Sequence, residues 1–152
     1  MLCEAKLSVD VLDKAIAMNT RYKSAEIFSQ LCDEVPQINS PYVLTSLASI
    51  ACHDLSAKSA DSLVLECLQH SFEKVDYVDC ALEIMNCITE KSAKFKENKE
   101  ELADILRNGF TSTTSDKLKK AILFVVSSLK IKPQFKKTLT GDNLDYYKKW
   151  VS

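Results

Sequence analysis

Two histidines and six cysteines are the side chains of this 152-residue sequence best suited to chemistry near neutral pH. His53 and His70 each fall in the last turn of a predicted helix, where the helix dipole favours a cation and no catalytic role is needed to explain them. Cys52 and His53 offer two zinc ligands side by side, yet neighbouring helical positions point about 100 degrees apart. No C-x-x-C pair occurs, and Cys80 and Cys87 stand seven residues apart, so a zinc centre needs ligands from distant segments. Cys3, Cys32, Cys52, Cys67, Cys80 and Cys87 sit mostly inside apolar helical patterns such as LVLECL and ALEIMNCI, and read as reduced thiols filling core gaps. The acid pairs Asp33/Glu34 and Glu100/Glu101 lie at helix ends among solvated residues, without a pocket that would set them to general acid and base work. The only glycines, Gly109 and Gly141, stand alone, whereas a phosphate-cradling loop needs several together. The expectation is a non-enzyme without catalytic residues, cofactor or metal.

The elements that carry these residues follow from composition and periodicity. Hydrophobic residues make up 46% and charged residues 27%, the balance of an ordinary globular chain. Two glycines and three prolines supply few tight turns, which favours helices joined by polar connectors. The length fits one domain burying roughly two-thirds of its unfolded surface. The longest uncharged apolar run, Ala121 to Leu129, is too short to cross a bilayer. The opening MLCEAKLSVDVLDK lacks a positive lead before an apolar stretch. A cytoplasmic or nuclear protein with no membrane partner is expected.

Apolar spacings of three and four predict helices over 9–18, 23–34, 40–53, 58–72, 76–91, 97–108, 115–130 and 133–139, with a last from 142. Ser40 before Pro41, Asp76, Ser115 and Asp142 are cap candidates. Gly109, after ADILRN, can take the left-handed conformation that closes a helix, and Gly141 precedes the final segment. Pro36 and Pro133 fall in connectors. Three segments share one ladder: Leu44, Leu47, Ile50, then Leu82, Met85, Ile88, then Leu123, Val126, Leu129, offset by 38 and 41 residues. A period near 40 built from helix pairs marks an alpha-solenoid. The expected layout is a single all-α domain: cap helices over 1–39 carrying Leu12, Ile16, Ile27, Phe28 and Leu31, repeat units over 40–77, 78–117 and 118–140, and a cap helix over 141–152. Tyr146, Tyr147 and Trp150 would cover that last end or mark where a longer chain continues. The alternative architecture is an irregular multi-helix bundle.

VLTSLASIA, ALEIMNCIT and AILFVVSSL resemble the groove-lining third helix of armadillo repeats, whose usual form is a small residue, leucines three apart and a terminal NL or NI. Over about residues 40–140 the chain resembles the armadillo and HEAT families. The resemblance implies a short right-handed solenoid of helix pairs or triplets, serving as a scaffold or adaptor that docks a peptide or helix of another protein. Armadillo groove helices present a tryptophan and, four residues on, an asparagine. The leucine ladder puts Thr45 and Ser49, Glu83 and Cys87, and Phe124 and Ser128 at those positions, so neither residue type is in place, although Asn86 lies one residue off. That departs from nuclear-import-style peptide capture. A spacing of four still sets each pair on one helix face. A surface of small polar residues flanked by Glu83 and Phe124 is therefore the expected docking face, with a core position as the other reading of Phe124.

Charge is unevenly distributed. Residues 1–116 hold eleven Lys or Arg against nineteen Asp or Glu, while residues 117–152 hold nine Lys against two Asp. Lys117, Lys119, Lys120, Lys130, Lys132, Lys136, Lys137, Lys148 and Lys149 form a basic end suited to an acidic partner, nucleic acid or an anionic surface, or a face whose lysines serve solubility. The end has no arginine, the residue that bidentate and stacking nucleic-acid contacts favour. A protein partner is thus preferred, an acidic one being suited to this charge. The alternative is a helical subunit of a nucleic-acid-associated complex, with the lysines on phosphates.

Overall fold

Every apolar-periodic stretch from residue 41 onward folds as a helix in the computed structural model, which describes residues 31–53 and 60–151. The helices are α1 (Pro41–His53), α2 (Ala60–Phe72), α3 (Val78–Glu90), α4 (Lys99–Ser112), α5 (Asp116–Ser128), α6 (Lys132–Lys136) and α7 (Gly141–Val151). Short 3-10 segments, Val35–Gln37, Val75–Tyr77 and Ser92–Asn98, join or precede them, and the described residues contain no strand. The expected helix over 9–18, most of that over 23–34, and Cys3, Leu12, Ile16, Ile27 and Phe28 lie outside the described residues, as do the expected first residues of the helix from 58. No described helix is long and apolar enough to cross a membrane.

Two of the cap candidates act as caps. The Ser40 hydroxyl accepts from the Val43 N–H at 3.3 Å, and the Ser115 hydroxyl from the Leu118 N–H at 3.2 Å, each satisfying an orphan donor of the first turn. Asp76 does not, because the chain tightens into the Val75–Tyr77 turn and α3 starts only at Val78, with no side-chain cap at Tyr77. Gly109 does not close α4 either. The helix runs on to Ser112 and so buries Phe110, while Gly109 lies in its interior with the Phe72 ring pressed against it. The left-handed closure expected of a glycine is made by Lys130, at φ +59° after α5. Its N–H bonds the Ser127 carbonyl at 3.3 Å, and the Ile131 N–H reaches back to the Val126 carbonyl at 3.1 Å, the paired bonds of a Schellman closure. Gly141 also has a positive φ, +57°, at the first position of α7.

The helices pack in a regular order. α1 lies on α3, α3 on α5 and α5 on α7, while α2 lies on α4 and α4 on α6; α1 also packs on α2, α2 on α3, and α4 on α5. Segments carrying Leu47, Met85 and Val126 are therefore neighbours in space. One continuous buried cluster runs between the two sets of helices, including Leu47, Ile84 and Val126 from one and Leu68, Leu106 and Phe135 from the other. His70, 5% exposed, works inside this packing: Nε2–H donates to the Ile38 carbonyl at 2.9 Å and the ring meets Tyr77 edge-on, which ties the segment before α1 to the end of α2.

Candidate functional site

On the face formed by α3, α5 and α7, two large side chains stand out of the core, Phe124 of α5 and Trp150 of α7. Leu118, Ile122, Val125 and Val126 of α5 point inward and are buried, whereas Phe124, one position from Val125, is 66% exposed. The core reading of Phe124 is thus replaced: its position on the helix turns it away from the seam that α5 makes with α3 and α4. On one side of it a shallow groove of about 190 Å³ runs between α3 and α5, lined by Leu82, Met85, Asn86, Thr89, Ala121 and Val125. On the other side a groove of about 300 Å³ lies between α5 and α7, with Lys120, Leu123, Ser127, Trp150 and Val151. Trp150 is 50% exposed, and the Lys120 ammonium sits 4.4 Å from its ring centroid. Lys120 also pairs with Asp116 at 3.1 Å, and Asp116 accepts from the Tyr146 hydroxyl at 2.5 Å, so the α7 side of the ridge is held by a charged and aromatic cluster.

The expected docking residues separate into three groups. Asn86 and Phe124 line the same groove, and Ser128 lines a separate cavity past the end of α5. Glu83 is exposed on α3 but lines neither groove. Thr45 and Ser49 are half-buried on α1: the Thr45 hydroxyl donates to the Pro41 carbonyl at 2.8 Å, and the Ser49 carbonyl accepts from His53 Nδ1–H at 2.8 Å. Cys87 is half-buried against α1, where Cys52 Sγ–H donates to the Cys87 carbonyl at 3.3 Å.

The Cys52–Cys87 contact has a chemical consequence. Besides that carbonyl bond, the two side chains interact: the Cys52 thiol holds the Cys87 thiol down at about 7, against burial and the Glu90 carboxylate, while the same side-chain interaction and burial push Cys52 far up. Burial raises Cys32, Cys67 and Cys80 as well. The thiolate is the nucleophile, so Cys87 should alkylate first among the described cysteines, with a rate that reaches half its plateau near pH 7. Cys52→Ala should move that midpoint toward the ordinary thiol value of about 8.5. Mass-spectrometric alkylation rates over pH 5.5–9.5 measure both; an unmoved midpoint would remove Cys52 as the cause.

The C-terminal lysines are spread over α5, α6 and α7. Lys117 approaches Asp79 at 3.9 Å, and Lys119 lies 5.3 and 5.1 Å from the Phe110 and Tyr146 ring centroids. Lys132 and Lys136 are exposed on α6, with Lys137 just after it, and Lys148 and Lys149 are exposed in the last turn of α7. Lys130 lines the cavity beside Ser128, together with Lys96 and Lys99. Those last two were not singled out by sequence, because KSAKFKENKEE mixes both signs and reads as solvated charge. No known family, curated protein or solved structure matches the chain.

Proposed function

We propose that this chain is a non-catalytic docking scaffold, its two helix sets forming a short solenoid of the armadillo or HEAT kind whose α3–α5–α7 face receives a peptide or helix of a partner protein. Stacking of α1, α3, α5 and α7 in sequence, with α2, α4 and α6 behind, supports the repeat reading, because each helix pair shares its core with the next. The observation that carries the docking reading is Phe124, left two-thirds exposed on a ridge between two grooves. Full burial of a phenylalanine is worth about 1.5–3 kcal/mol, which the free chain forgoes there and an occupant would recover. Single exposed apolar residues are common on protein surfaces. Grooves on both flanks, with the half-buried Leu82 in one and Trp150 in the other, distinguish this one.

Peptides selected from a random display library on the full chain provide the test. Phe124→Ala should weaken their binding about thirtyfold, as expected for an aromatic anchor at the centre of an interface. Helicity and thermal stability should stay within about 0.5 kcal/mol of the parent, because the side chain supports no core packing. Selected peptides indifferent to Phe124, or generic DNA bound tightly with a steep salt slope, would overturn the reading.

A further inference from the structure

The α3–α5 groove is not uniform along its length. It passes Leu82, Asn86 and Phe124, and a separate cavity of about 220 Å³ lies beyond it, past the C-terminal ends of both helices. Phe95, Leu102, Leu129 and Ile131 contribute its apolar lining, Ser92 and Ser128 add hydroxyl-bearing residues, and Lys96, Lys99 and Lys130 supply its charge. No Asp or Glu lines this cavity or the groove, in a chain that holds 21 of them. None of the three lysines pairs with a carboxylate among the described residues.

Local rules account for these lysines only in part. A cation beyond the C-terminus of α5 is favoured by the helix dipole, which explains Lys130. Lys99 is the first residue of α4, where the dipole disfavours a positive charge, and Lys96 lies in the 3-10 segment before it. Lys130 also holds a left-handed backbone that glycine would adopt without strain. Three lysines without an ion-pair partner among the described residues thus line one cavity beyond the groove, in positions that helix stability alone does not select.

We propose that the occupant of the groove is an acidic protein segment: its apolar residues lie along Leu82 and Phe124, and two or more Asp or Glu carboxylates at one end reach the cavity of Lys96, Lys99 and Lys130. The charge fixes the segment's direction as well as its class, because its acidic end must lie toward the C-termini of α3 and α5. The inference rests on the docking reading above, and its test separates the two.

Library-selected peptides are titrated against the full chain and against Lys96→Gln, Lys99→Gln and Lys130→Gly at 50 and 300 mM salt. The expected peptides carry Asp or Glu clustered toward one terminus. Each replacement weakens them about two- to fivefold at low salt and less at high salt, and the triple variant weakens them about tenfold or more. Lys130→Gly should at the same time raise Tm by about 2–4 °C through relief of the left-handed strain, so its lost affinity cannot come from unfolding. Peptides that need Phe124 but carry no acidic cluster and ignore the lysines overturn this inference and leave the docking reading standing. Peptides that ignore Phe124 overturn both. Single-stranded DNA bound with the same lysine dependence and at least equal affinity replaces the acidic segment by nucleic acid.

Discussion

Phe110→Ala should cost about 3–5 kcal/mol and lower Tm by about 10 °C, the largest single loss expected in this chain. The ring is fully buried at the place where α4, α6 and α7 meet. It stands edge-on to Phe135 at 5.4 Å and to Tyr146 at 5.7 Å, with the Lys119 ammonium 5.3 Å from its centroid. Such aromatic pairs contribute about 0.5–1.5 kcal/mol each beyond the area they bury. The other ties at this end are polar, from Arg107 to the α6 carbonyls and from Tyr146 to Asp116. α6 has five residues, and in α7 only Tyr147 is buried. Amides of α6 and α7 should therefore lose hydrogen-exchange protection well before those of α1 to α3, which share a broader core. Phe124→Ala is the matched control: the same truncation at an exposed ridge should change stability by no more than about 0.5 kcal/mol. A loss below about 1 kcal/mol for Phe110→Ala would mean that the aromatic cluster does not organise this end.

How far the structure can be read from sequence depends on the range of the interaction. The ladders Leu44–Leu47, Leu82–Met85 and Leu123–Val126 lie within single helices, and their three- and four-residue spacing alone reveals a buried face. Caps at Ser40 and Ser115 are equally local. Arg107 is not. In ADILRN it looks like a surface charge, but its guanidinium donates to the Gln134 carbonyl at 2.9 Å and the Phe135 carbonyl at 3.3 Å, pairs with Asp104, and fastens α6 to α4. Those carbonyls lie 27 and 28 residues away, beyond the reach of a pattern. The candidate site divides in the same way. Asn86, Phe124 and Ser128 emerge from helical spacing, whereas Lys96 and Lys99 join Lys130 only because the Ser92–Asn98 turn and the start of α4 fold back beneath the end of α5.

Gly109 shows how a local rule can give the wrong sign, and it yields the second large effect. A glycine near the end of an apolar helix reads as its closing residue, and one inside an exposed helix is worth replacing, since alanine is favoured there by about 1 kcal/mol. Here the glycine is buried one turn before the end of α4, and a Cβ would lie 2.7 Å from two ring carbons of Phe72. Relief requires the half-buried ring, at the last position of α2, to swing outward; such overpacking costs about 1–3 kcal/mol. Gly109→Ala should thus lose about 1 kcal/mol in spite of its helix propensity. Gly109→Val, with two further carbons and a β-branch, should lose about 3. With Phe72→Ala already in place the obstacle is gone, and adding Gly109→Ala should become stabilising by roughly its propensity, about 1 kcal/mol. The four melting curves of that double-mutant cycle measure a coupling of about 2 kcal/mol between the two positions. Additive losses would show that the contact between α2 and α4 at Phe72 yields without cost, and that the glycine is there for some reason other than close approach.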